Sequence, residues 1–246
     1  MKFIYPDWPA PIQIGALSTM RTGGVSISPY ASLNLGSHVG DALVAVMQNR
    51  RLLSEYGQLS AEPVWLDQIH STTVLNLDDF TQTDLIKADA SYTAQTTFAC
   101  TVMTADCLPV LFCSLDGDEV AAAHAGWRGL CHGVLENTLQ QFRCSPDKIM
   151  AWLGPAIGPD QFEVGAEVKQ QFEKVDKHAA SAFCLSNQES QKYLADIYLL
   201  ARQRLNTFGV SRIYGGQHCT VSEPETFFSY RREQITGRMA SMIWIK

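Results

Sequence analysis

Two short apolar runs joined by a turn constrain this chain more than any other feature. Thr101 to Cys113 and Glu119 to Leu130 flank Asp116-Gly117-Asp118, and Asp-Gly between β-type runs is a strong short-range hairpin signal. With Asp116 and Gly117 at the centre of the turn, paired residue numbers sum to 233, so Cys107 falls opposite Gly126 and close to His124. A thiol and an imidazole then meet at one end of a hairpin, with Asp106 and Arg128 beside them.

Further strands are expected around this hairpin. Val64 to Ile69, Thr73 to Leu77, Ala88 to Thr93 and Phe98 to Met103 are short β-type runs, as are Lys148 to Leu153, Val210 to Tyr214 and Met239 to Ile245. Ile12 to Ser18 leads into another. The connections among the earlier strands are too short for parallel crossovers, which predicts mostly antiparallel pairing. Helical spacing appears in Leu43, Met47, Arg50, Leu53 and Tyr56, with Asp41 placed to cap the start and Gly57 to stop the end. Gly129 to Phe142, Phe162 to Val175 and Tyr193 to Phe208 also read as helices. A length of 246 residues is near the upper limit for one core, and with no repeat or linker in view, residues 1–246 are expected to form a single domain.

Charge narrows the partners. A net charge of -6 argues against nucleic acid and anionic membranes, both of which favour a basic face, and leaves small molecules. No stretch approaches the roughly 20 apolar residues of a spanning helix, and the first residues lack the pattern of a signal peptide. Seven cysteines without a CxxC pair predict free thiols and a cytoplasmic setting.

His70, Cys107 and His124 each end a predicted strand, and three such residues suffice for a catalytic zinc site with one open position. The same residues admit a metal-free alternative in which Cys107 is a nucleophile and His124 its base. Arg21 lies beside Gly23-Gly24, a turn suited to an anion, and Arg128 stands at the start of a predicted helix. Either is a candidate phosphate holder, with Arg231 or Arg232 from the aromatic-basic segment as a further one. Asn34, in the glycine-punctuated loop Leu33 to Asp41, and Gln68, near His70, are candidate substrate contacts. Asp106 is assigned either proton transfer or the orientation of a ligand histidine. His38, His132 and the pair His218-Cys219 are weaker candidates. Cys100, Cys113, Cys131, Cys144 and Cys184 lie on apolar or helical segments and are expected in the core.

Asp67-Gln-Ile-His-Ser71, Thr104-Ala-Asp-Cys-Leu-Pro109, His124-Ala-Gly-Trp-Arg-Gly129, Gly154-Pro-Ala-Ile-Gly158 and Phe228-Ser-Tyr-Arg-Arg232 occur in this order, after Ser18-Thr-Met-Arg-Thr-Gly-Gly24. Together they resemble the YfiH family, also called laccase-domain proteins or peptidoglycan editing factors, over nearly the whole chain. The resemblance implies an α/β fold of α+β type, a layered sandwich of mixed, largely antiparallel sheets flanked by helices and shared with a bacterial deamidase toxin. It implies one zinc per chain on His70, Cys107 and His124, with copper as an in vitro substitute. It also implies phosphorolysis of purine nucleosides (adenosine, inosine and methylthioadenosine), with adenosine deamination as a second activity and a monomer or homodimer as the assembly. Action on cell-wall precursors, suggested by the editing-factor name, is the alternative that goes with a Cys-His hydrolase or amidase. Multicopper oxidase chemistry is disfavoured, because it needs about ten imidazoles, usually in His-x-His runs. This chain has six histidines and no such run. The nucleobase-deaminase signature of His-x-Glu with Pro-Cys-x-x-Cys is also absent, so deamination here would use a different arrangement.

Overall fold

The structure is a computed structural model that describes residues 2–79, 86–187 and 191–246. Its strands are β1 (Phe3–Ile4), β2 (Ile14–Thr19), β3 (Glu62–Val64), β4 (Val74–Asn76), β5 (Ala90–Thr93), β6 (Phe98–Thr104) and β7 (Leu108–Ser114), followed by β8 (Val120–Ala125), β9 (Ile149–Leu153), β10 (Glu163–Val164), β11 (Phe183–Asn187), β12 (Lys192–Ala195), β13 (Arg212–Gly215) and β14 (Met239–Ile245). Helices are α1 (Leu43–Tyr56), α2 (Trp127–His132), α3 (Val134–Leu139), α4 (Ala166–Val175), α5 (Ile197–Phe208) and α6 (Tyr230–Glu233). One sheet has the order β1-β2-β14-β6-β3, a second β13-β9-β7-β8-β5-β4, and a small third β10-β12-β11. Most neighbours are antiparallel; β3 with β6, β4 with β5 and β9 with β13 are parallel. The result is the expected mixed α/β architecture.

Apolar side chains from the inner faces of the two large sheets, among them Val102, Ile243, Leu111 and Met150, form one core between the sheets. The outer face of the β7 sheet packs Val110, Phe112 and Ala123 against Leu130, Leu135 and Ala201 from the helices. The outer face of the β14 sheet packs Leu17 and Met242 against Leu53 of α1. β7 is buried at every position because both its faces are covered, which is why its sequence is a continuous apolar run rather than an alternating one.

The hairpin forms in the register read from its turn. Leu108 pairs with Ala125 and Pro109 with His124, and Gly117 takes the positive φ of 72° that the turn requires. Several other expectations are corrected. Strand Val64 to Ile69 is reduced to Glu62–Val64, because Gln68 spends its side-chain amide on Met103: Nε2 donates to the Met103 carbonyl and Oε1 accepts from its N–H. The helix expected over Gly129 to Phe142 begins at Trp127 and divides at Gly133, whose φ of 100° is left-handed. Phe162 to Val175 is helical only from Ala166, since Glu163 and Val164 pair with β12. Tyr193 to Phe208 is likewise strand before Asp196, which caps α5 by accepting from Leu199 N–H. α1 buries Val46, Asn49 and Leu53, while Leu43, Met47 and Tyr56 are exposed. Its buried stripe is rotated from the expected one because Asn49 is drawn inward by the carbonyls of Ser32 and Asn34 and the Ser26 hydroxyl. Asp41 does not cap α1 through N2 or N3; its Oδ2 instead accepts from Ser26 and Asn34.

Candidate metal centre

β6 belongs to the first sheet and β7 to the second, so the chain crosses between sheets at Ala105-Asp106-Cys107. Asp106 makes that reversal with a φ of 87°. Its carboxylate accepts from the Thr220 hydroxyl at 2.6 Å and from Arg231 N–H at 2.6 Å, which ties the crossing to two other segments. Cys107 is thereby presented at the end of β7. His124 arrives from β8, the paired strand, and His70 from the loop after β3.

The donor atoms of His70, Cys107 and His124 all lie within 4.8 Å of one another. Cys107 Sγ is 3.8 Å from His70 Nε2, and the two imidazoles meet edge to face at a centroid distance of 4.8 Å. The cluster is graded from the solvent inward: His70 is exposed, Cys107 half-buried and His124 buried. It is the one grouping among the described residues of three or more such side chains with metal-ligand spacing.

Asp89, which local sequence pattern does not single out, organises the cluster. Its fully buried carboxylate accepts from His70 N–H at 2.9 Å, Ile69 N–H at 3.2 Å, Ser71 N–H at 2.6 Å and the Ser71 hydroxyl at 2.7 Å. The same carboxylate lies 2.8 Å from His124 Nδ1. That contact leaves Nε2 of His124 for the cluster, the usual relation of a ligand histidine to its orienting carboxylate. By accepting from the Ile69, His70 and Ser71 N–H groups, Asp89 also supports the left-handed conformation of His70, φ 60°, that a non-glycine residue seldom adopts unaided. The only sequence trace of this role is a carboxylate between two alanines, Ala88-Asp-Ala90.

Charge within the cluster is mutually supporting. Burial opposes ionisation of both Cys107 and His124, yet facing His124 and His70 lowers the thiol, while Cys107 and Asp89 raise the imidazole. Burial pushes the Asp89 carboxyl up, but hydrogen bonds from His124 and Ser71 outweigh it and hold the group at about 2. A thiol whose ionisation both imidazoles favour, and two imidazoles facing it, make a donor set suited to a borderline-soft cation. The space fits as well. A Cβ built on Gly126 would lie 2.7 Å from His70 Cδ2 and 3.1 Å from Cys107 Sγ, so glycine leaves the cradle open.

The other predicted residues are placed differently. Asn34 is buried, with Oδ1 accepting from Gly36 and Arg238 N–H groups, and Gln68 clamps Met103; both serve the backbone. Arg21 pairs with Glu233 and donates to the Pro224 carbonyl. Arg231 donates to the carbonyls of Gln161 and Glu163, and Arg232 to those of Thr220, Val221 and Phe227. Arg128 is exposed with its guanidinium 4.3 Å from the Trp127 ring centroid. His218 and Cys219 are bound to Glu223, away from the three-donor cluster, and His132 is exposed. All seven cysteines are free; Cys184 is exposed and Cys144 half-buried, against the expected core placement. His38 lies within electrostatic range of His124 and Arg238.

A layered two-sheet fold with this cluster at the sheet crossing places the chain in a defined class. Residues 15–246 match the family described as multi-copper polyphenol oxidoreductase laccase, and the chain belongs to that family, the YfiH proteins. It is 56% identical over 244 residues to the purine nucleoside phosphorylase YfiH of Escherichia coli (strain K12), covering 99% of each chain. It is 53% identical over 246 residues to the purine nucleoside phosphorylase of Haemophilus influenzae, covering 100% of each. A crystal structure of a Neisseria meningitidis protein superposes with a TM-score of 0.95 at 51% identity, over 100% of both chains.

Proposed function

We propose that this protein is a zinc-dependent purine nucleoside phosphorylase acting on adenosine, inosine and methylthioadenosine. The observation that carries the reading is the convergence of His70, Cys107 and His124 in a chain whose relatives bear the phosphorylase name. In this reaction a hydrogen phosphate oxygen bonds to C1′ of the sugar as the C1′–N9 bond breaks, and the bonding pair leaves with the purine. The phosphate proton ends on the purine nitrogen, giving free base and the corresponding sugar 1-phosphate. His70, Cys107 and His124 would hold zinc, which would supply Lewis acidity when bound. Asp89 fixes the tautomer of His124, and Asp106 fixes the backbone that presents Cys107. A pre-set polar environment of this kind stabilises charge that develops in the transition state without reorganising. Adenosine deamination, with water as co-reactant and ammonia as product, is a second activity of the same site. The reading implies small-molecule partners, a cytoplasmic setting and a monomer or homodimer; no helix among the described residues is long and apolar enough to cross a membrane.

The test is a product assay with the three nucleosides, with and without phosphate. Base released only when phosphate is present supports phosphorolysis. No base in any combination sinks it.

One observation favours a second reading. Cys107, His124 and Asp89 also stand in series as a nucleophile, base and orienting carboxylate, the arrangement of a metal-free thiol hydrolase. Full activity after chelation would select that reading, and loss of activity restored by zinc would reject it.

A further inference from the structure

We propose that Arg238 holds the phosphate dianion beside the His70, Cys107 and His124 cluster, an assignment that rests on the phosphorylase reading. β14 pairs with β6 so that Met239 faces Thr104. Continued by one residue, that register sets Arg238 across from Ala105, beside the Asp106-Cys107 crossing. The charges of Cys107 and Asp106 act on its guanidinium there, against the opposing effect of burial.

Elimination points the same way. Arg21 is paired with Glu233, Arg232 donates through both Nη atoms to backbone carbonyls, and Arg50 through Nε and Nη2 to the Leu35 carbonyl; among the described residues Arg128 and Arg231 also keep open guanidinium edges but are exposed, whereas Arg238 is partly buried. Arg238 donates from Nη1 to the carbonyls of Thr236 and Gly237 at 3.0 and 3.1 Å. Among the described residues its Nε and Nη2 have no hydrogen-bond partner, and no carboxylate lies within ion-pair distance. A partly buried guanidinium with an open edge is matched by the geometry of a phosphate.

The side chain is also pre-positioned. Arg238 N–H donates to Asn34 Oδ1 at 2.9 Å, and its carbonyl accepts from Leu35 N–H at 3.2 Å. Gly36 lies under its stem, where a Cβ would come within 2.8 Å of Arg238 Cγ. The Tyr230 ring centroid is 5.9 Å from the guanidinium carbon. Asn34 is therefore a positioning residue for the anion subsite rather than a substrate contact.

The test uses zinc-loaded protein, with R238Q to remove the charge and R238K to keep it without the planar fork. Direct binding of radiolabelled inorganic phosphate is measured by equilibrium dialysis, and inosine phosphorolysis is followed separately. Phosphate affinity is expected to fall about tenfold or more in R238Q, with partial recovery in R238K. The KM for phosphate should rise accordingly while the KM for inosine stays within about twofold. Equal phosphate affinity in wild type and in a folded R238K and R238Q pair overturns the subsite. So does a loss confined to binding of inosine 5′-monophosphate, which would place a substrate phosphate there instead of the free anion. Failure of the phosphorylase reading appears elsewhere, as wild-type protein that binds phosphate through Arg238 but releases no base.

Discussion

A carboxylate whose two oxygens serve five donors tolerates little change, and Asp89 is in that position between two of the three cluster residues. Asp89→Asn keeps the shape but replaces one acceptor with a donor facing the Ile69 to Ser71 amides or His124. Zinc affinity is expected to fall about 10- to 100-fold, read by competition with a chromophoric chelator. Asp89 also imposes a pH dependence on the metal-free protein. Its folded pKa of about 2 lies below the ordinary 3.8, so its contribution is present above about pH 4 and lost as pH falls toward 2. The amount is on the order of 2 kcal/mol. Urea unfolding of chelated wild type between pH 5 and 3 should therefore steepen relative to Asp89→Asn; parallel pH profiles would refute the linkage. At the donors themselves, His70→Ala should lower zinc from about one per chain to near zero by elemental analysis, with little loss of stability because the side chain is exposed.

At the level of elements, two glycines make opposite predictions. Gly126 stands before α2 with φ −60° and ψ 154°, which any residue adopts, so Gly126→Ala carries no backbone penalty. Its methyl group would displace the His70 ring, so the variant should melt near wild type yet retain little zinc; a fully metallated variant would show that the cradle does not matter. Gly133, between α2 and α3, has φ 100° and only ordinary contact distances around the position a methyl group would take. Gly133→Ala should leave zinc binding intact and cost about 1–2 kcal/mol in urea unfolding, the penalty of left-handed backbone for a residue with a Cβ. The elements that local pattern recovered are those whose burial is uniform or set by a turn. The hairpin register followed from Asp116-Gly117 alone, and Met239–Ile245 is the strand expected. Pattern failed where partners decide. Glu163 and Val164 have helical spacing to the helix that follows them, as do Tyr193 and Leu194, but the two pairs are claimed by pairing Glu163 with Leu194 and Val164 with Tyr193.

Across the whole molecule, stability depends on the two large sheets packing face to face and on their outer faces being covered. Phe112, at the centre of β7 with no exposed surface, should cost about 3–5 kcal/mol on change to alanine. Met47, 44% exposed on α1, should cost less than about 0.5 kcal/mol on the same change. Comparable losses at the two positions in denaturant titrations would contradict this layering. The candidate centre lies where the chain crosses from one sheet to the other: Cys107 and His124 come from paired strands of the second sheet, and His70 from the loop that leaves β3 of the first.

The sequence by itself determined the hairpin, the meeting of Cys107 with His124, and the donor types at the strand ends, because turn chemistry and alternation act over a few residues. Its motifs also carried the family. Only the tertiary structure decided how closely His70 approaches Cys107, that Asp89 orients two donors, and that Arg238 is partly buried with an open edge. Those facts rest on residues 19 to 204 positions apart, as with His70 and Asp89 or Asn34 and Arg238. Local pattern holds no information about such pairings, since each depends on how two sheets and their loops pack in space.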